Sequence, residues 1–297
     1  MHTNVKTALG IFLFFFFGFL AISELVGNYT GYIKNLDDTI PLLTYFKTEL
    51  FALVSMPLLF ATGWRVWIGE SHWASVWFHI GIPLGILASS ISFVDVLQNV
   101  STIEQARSLV GESLLAVLYG GVVSFIGYLN LNTVYIPIKR SNYSNLTKLI
   151  VFLLNNLLIL GNMHYYSGLG AFVDTTTIYI FAAFAAAFLL VNRNESKSIY
   201  YLVCETMVIA SLASVVIALI SYNTYQGHVP LMAPAIAIGI LGPLYGSFVI
   251  IQCATFFPET NLRDINFVQI SWHLLEICGL WILMVFAPLS VLEMLSA

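Results

Sequence analysis

Charge is what this sequence has least of. Asp, Glu, Lys and Arg together make up 9% of its 297 residues, against roughly 25% in a soluble domain. So few charges cannot cover a globule in water, which excludes an ordinary soluble enzyme. A hydrophobic fraction of 59% excludes disorder as well. Basic residues are scarce and scattered, 11 in all with a net charge of −4, so no nucleic-acid surface is expected. Only three cysteines occur, Cys204, Cys253 and Cys278, each inside an apolar run. They read as small core residues and not as a disulfide framework or a metal cluster. No glycine-rich phosphate loop, Gly-x-Ser-x-Gly elbow or Cys-x-x-Cys pair is present, so the nucleotide-driven and hydrolase classes have no support. His79, His164 and His228 are too dispersed for a metal site. No cofactor, metal or catalytic residue is expected.

What the chain has is long apolar runs, and a mean hydropathy of +0.88. A bilayer core about 30 Å thick needs roughly 20 apolar residues per helix. Nine segments meet that length, at about 8–26, 44–63, 73–97, 110–136, 147–166, 173–192, 198–221, 230–257 and 267–292. The runs are continuous and do not alternate, which argues against strands. The first segment has some signal-peptide character, with Lys6, the run Ile11 to Leu20 and then Ala21-Ile22-Ser23, and is expected to be a retained helix. The expectation is an all-α, polytopic transmembrane protein. Two tandem four-helix blocks, 1–145 and 146–260, are followed by a ninth helix in 261–297.

Basic residues orient the helices. With the N-terminus inside, Lys6, Arg65, Lys139, Arg140, Lys148, Arg193, Lys197 and Arg263 fall on the inner side. Lys34, Lys47 and Arg107 fall outside, a ratio of 8 to 3 that uses all 11. The C-terminus is then outside, in an inner (plasma or organellar) membrane. The lipid is one expected partner. Other membrane subunits are the second, in an oligomer or hetero-complex.

The two blocks carry related stretches. Leu118-Tyr119-Gly120-Gly121 in the fourth segment matches Leu244-Tyr245-Gly246-Ser247 in the eighth. Both blocks run inside to inside, which makes this a parallel repeat. Small residues at these places also let helices approach closely, so Tyr119, Gly120, Tyr245 and Gly246 are candidate helix-packing residues.

Ala233-Pro234-Ala235-Ile236-Ala237-Ile238, then Leu241 and Leu244-Tyr245-Gly246, resembles the last transmembrane helix of the MotA/TolQ/ExbB proton-channel family, in its flagellar stator branch. Gly170-Ala171-Phe172-Val173-Asp174-Thr175-Thr176-Thr177-Ile178 resembles that branch's link between its first two helices. In the first half, Leu97-Gln98-Asn99, Leu114-Leu115 and Leu118-Tyr119-Gly120 resemble its third-to-fourth helix link. Pro83 and Gly85 sit where its third helix has a proline. The resemblance covers most of 73–140 and 168–258 and implies an ion-driven membrane subunit that moves protons or sodium with a partner. Two features depart from the family. Its hydroxyl residues before the Tyr-Gly are replaced by Ala116-Val117 and Gly242-Pro243, and its cytoplasmic domain is reduced to about 64–71 and 192–197.

The ninth segment contains Trp272-His273-Leu274-Leu275-Glu276. Glu276 lies about ten residues in, or roughly 15 Å of rise, where an acid costs on the order of 3 kcal/mol. His273 is one turn earlier on the same face and can share its proton. The resemblance implies a fused partner helix with Glu276 and His273 as proton-handling residues. The other reading is a neutral acid used as structural glue. Glu205, in the inner half of the seventh segment, is either a third proton-handling residue in the same layer or an acid close enough to the interface to reach water or Lys197. Asp95, Glu112 and Asp174 are expected at outer helix ends, with Glu112 opening its helix. Together they form a candidate acidic vestibule. Asn155-Asn156 is expected to hydrogen-bond neighbouring helices. Trp272-His273-x-x-Glu276 with Trp281 also resembles the last helix of cytochrome oxidase subunit III, which implies a non-conducting structural subunit instead.

Overall fold

The computed structural model describes residues 47–68, 73–99, 103–131, 145–191, 199–224 and 229–256. Seven α-helices run in chain order: α1 Thr48–Trp67, α2 Trp73–Asn99, α3 Ile103–Leu131, α4 Asn145–Ser167, α5 Thr175–Val191, α6 Ile199–Thr224 and α7 Val229–Phe256. A short 3₁₀ turn, Leu169–Phe172, joins α4 to α5. Six of the seven are long and apolar enough to cross a membrane. The described residues are therefore those of a helical, multi-pass membrane protein. The expected first and ninth segments, 8–26 and 267–292, lie outside the described residues, and with them Glu276 and His273.

Helix is the outcome that physics leaves open to these runs, because lipid offers no partner for a bare N–H or C=O. The apolar span of the fourth expected segment holds, but its helix starts earlier. α3 opens at Ile103, within the polar stretch Ile103-Glu104-Gln105, while its membrane-length apolar part runs Gly111–Asn130. Hydropathy marks where lipid contact begins, not where the helix does. Glu112 is consequently nine residues into α3. Its expected role at the helix's positive end is corrected.

α2 is the hub. It packs on α1, α3, α4 and α7, and residues from Val76 to Val96 along it are buried in one core with α7. The other extensive pair is α6 with α7, and α5 packs on α6 and α7. The two helix pairs, α2–α3 and α6–α7, thus meet through α2 and α7. Cys204 and Cys253 are buried free thiols in this core.

Candidate functional site

Both helix pairs are built on backbone contact. A Cβ on Gly120 would meet the carbonyl oxygen of Gly81 and would stand 2.7 Å from the Cα of Gly85. Likewise a Cβ on Gly246 would meet the hydroxyl of Ser211 and lie 3.2 Å from the carbonyl oxygen of Met207. These are the same three places. Gly81, Gly85 and Gly120 become Met207, Ser211 and Gly246 when each number rises by 126, the spacing of Tyr119 and Tyr245. Small residues at such seams permit close approach, where dispersion and backbone dipoles supply the attraction that a hydrophobic effect cannot supply in lipid.

The tyrosines repeat the pattern. The backbone N–H of Lys47, at the entry to α1, donates to the Tyr119 hydroxyl over 2.9 Å. The N–H of Asp174, at the entry to α5, donates to the Tyr245 hydroxyl over 3.3 Å. Each tyrosine also meets a phenylalanine edge-to-face: Phe51 at 6.0 Å and Phe181 at 5.7 Å.

One detail breaks the correspondence. Pro83 has no N–H and crowds the turn before it. There the hydroxyl of Ser124, from α3, accepts the N–H of Ile82 at 3.0 Å and donates to the carbonyl of Phe78 at 3.1 Å. A serine hydroxyl from the neighbouring helix thus bridges two backbone groups of the turn that precedes the proline. The places 126 residues on hold Ile209 and Ile250, so proline and serine are absent together.

A polar cavity lies where the start of α1, the end of α2, the first half of α3 and the end of α4 converge. A cavity of about 430 Å³ is lined there by Lys47, Thr48, Glu49, Leu50, Ser92, Asp95, Val96, Asn99, Glu112 and Tyr166. Three carboxyl groups face one ammonium group. Lys47 Nζ is 3.0 Å from Glu112 Oε1, both side chains being more than a third exposed. Asn99 Nδ2 donates to Asp95 Oδ1 at 2.9 Å. Below them the Ser92 and Ser113 hydroxyls share a 2.8 Å bond that ties α2 to α3.

Of the three expected vestibule acids, Asp95 and Glu112 line this cavity and Asp174 is not in its lining. Asp174 caps α5 instead. Its Oδ2 accepts the N–H of Thr177 at 2.6 Å and the Thr177 hydroxyl at 2.7 Å. Glu205 is half-buried on α6. Asn155 and Asn156 divide: Asn155 Nδ2 reaches Gln252 Oε1 on α7 at 3.1 Å, and Asn156 donates to its own helix at Phe152. Sequence reasoning missed Lys47, Glu49 and Tyr166. The first two sit at the polar edge of an apolar run, a signal that could have been read. Tyr166 comes from the far end of α4, and its arrival depends on tertiary packing alone. Among the described residues no group of His, Cys, Asp and Glu is placed to hold a metal ion.

No family model, curated protein or solved structure matches this chain.

Proposed function

We propose that the chain is a membrane subunit of the ion-driven stator and proton-channel kind, built as two helix blocks in tandem, which couples movement of a proton or sodium ion to a partner subunit. The observation that carries this reading is the recurrence of one helix arrangement at a spacing of 126 residues. It falls on the stretches that resemble the stator branch: Leu118-Tyr119-Gly120 on Gly81 and Gly85, and Leu244-Tyr245-Gly246 on Met207 and Ser211. The cavity lined by Glu49, Asp95 and Glu112 supports it as a place where a cation gathers at one end of the helices. In this reading Glu276, with His273 and Glu205, carries the proton across.

A specific observation favours a second reading, a non-conducting structural subunit of a larger complex. Where the family has hydroxyl residues along its ion path, Ala116 lies against Gly85 and Gly242 lies against Ser214. That seam leaves no room for an ion. The test is proton flux, and separately sodium flux, into liposomes holding the purified chain, with Glu276→Gln beside the wild type. Flux that the substitution abolishes is expected from a conducting subunit. A folded wild-type chain that passes neither ion, alone or with co-purifying subunits, supports the structural reading.

A further inference from the structure

The meeting of α2 with α7 leaves its two counterparts open. On α7, Leu244, Ser247, Ile251 and Ala254 form one stripe on the side turned away from α6, and all four are buried. The same stripe on α3, 126 residues earlier, is Leu118, Gly121, Phe125 and Tyr128. Leu118 is 47% exposed where Leu244 is 1% exposed, and Tyr128 is exposed where Ala254 is buried. Gly121 has nothing within 4 Å of where a Cβ would stand.

The other side of the junction behaves alike. Ile86, Ser90 and Val94 on α2, facing away from α3, are buried. Their counterparts on α6 are Leu212, Val216 and Ile220, all exposed, with Ile220 at 62% against 7% for Val94. α2 has α7, α1 and α4 around it in addition to α3, whereas α6 packs on α7 and α5.

We propose that α3 of one copy packs on α6 of a second copy, repeating between chains the junction that α7 and α2 make within one. The contact is heterologous, using two different faces, and joins copies head to tail; it closes into a ring where the rotation allows. With one crossing per helix, α2 and α6 run the same way and α3 and α7 the other. Both copies therefore sit the same way up, as a shared membrane demands. Gly121 supplies the small residue that lets α3 come close. The contact requires no ion movement and holds equally for a structural subunit.

Ser211 packs at Gly242 and Gly246, which sets Leu212 at the level of Leu244, and the repeat sets Leu118 at that level too. The test uses two differently tagged copies with Cys204, Cys253 and Cys278 replaced by alanine, one carrying Leu118→Cys and the other Leu212→Cys. They are co-expressed and oxidised in the membrane with copper phenanthroline. Both positions are exposed, so neither substitution disturbs the fold. A disulfide-linked dimer bearing both tags, absent when either copy is expressed alone, is the expected result. Dimers from either copy alone would mean like faces meet, and would overturn the proposal. In a companion variant that carries Leu212→Cys and keeps Cys278, a cross-link between the two within one chain would seat the segment 267–292 on α6, and would also overturn it. So would the absence of any mixed dimer, whatever number of copies native mass spectrometry counts.

Discussion

The hydroxyl of Tyr245 donates to the carbonyl of Phe172 at 2.6 Å, across 73 residues of sequence. The same hydroxyl accepts the N–H of Asp174. One phenol on α7 thereby fixes both sides of the turn that enters α5. The hydroxyl of Tyr119 likewise accepts the N–H of Lys47, at the entry to α1.

Two substitutions test these bonds. Tyr245→Phe strands the carbonyl of buried Phe172 as well as losing a bond, and is expected to cost about 1–3 kcal/mol. Tyr119→Phe removes the acceptor for the N–H of Lys47 and is expected to cost at least about 0.5–1.5 kcal/mol. Thermal unfolding in detergent, followed by circular dichroism, measures both losses; a variant that melts with the wild type would contradict its expectation.

Adjacent glycines make a sharper pair. Gly120 faces the backbone of α2, and Gly121 faces open space. Gly120→Ala must push two helices apart and is expected to cost roughly 1–3 kcal/mol, as overpacking does. Gly121→Ala is expected to be neutral or slightly stabilising to the fold, since alanine favours helix over glycine by about 1 kcal/mol. Melting temperatures of the two variants, measured side by side in detergent, decide the matter.

Asp174 was expected among vestibule acids and is found as a cap. Asp174→Ala removes the acceptor for the first turn of α5 and is expected to cost about 0.5–2 kcal/mol, while Asp174→Asn keeps most of it. Ion flux in liposomes is expected to be unchanged by Asp174→Asn. A large flux defect with normal stability would return the residue to the ion path.

The helices were legible because lipid forces each apolar run to satisfy its own backbone, so length and hydropathy suffice. Their ends were less so: α3 begins in polar residues that no hydropathy window selects. Leu118-Tyr119-Gly120 and Leu244-Tyr245-Gly246 announced a repeat, but the sequence could not say that Gly81, Gly85, Met207 and Ser211 receive them, because those partners share no residue type except small size or flexibility. The cavity was half legible. Asp95 and Glu112 stood out as acids beside apolar runs, whereas Tyr166 looked like one more aromatic at a helix end.

Glu112 separates electrostatics from function. Its bond with Lys47 is solvent-accessible, and such pairs are worth about 0–1 kcal/mol. Glu112→Gln is therefore expected to leave the melting temperature within a degree or two. If the cavity gathers cations, the same variant lowers flux at low ionic strength and less so at high, where screening flattens the field. A flux that ignores both the substitution and the salt would remove the cavity from the path.

The last expectation concerns Pro83 and Ser124. Ser124→Ala leaves the N–H of Ile82 and the carbonyl of Phe78 without the hydroxyl that bridges them, at a cost of about 1–3 kcal/mol. Pro83→Ala restores a donor for the carbonyl one turn back and removes the ring that crowds this turn, so less rests on the serine. The pair should then be non-additive: Ser124→Ala costs less in the Pro83→Ala background than in the wild type, by about 1 kcal/mol. The second block supplies the natural comparison, with Ile209 and Ile250 at the two places and Ile250 fully buried. A double-mutant cycle read by thermal unfolding measures the coupling. Strict additivity would mean that Ser124 serves the packing of α3 on α2 alone and owes nothing to the proline.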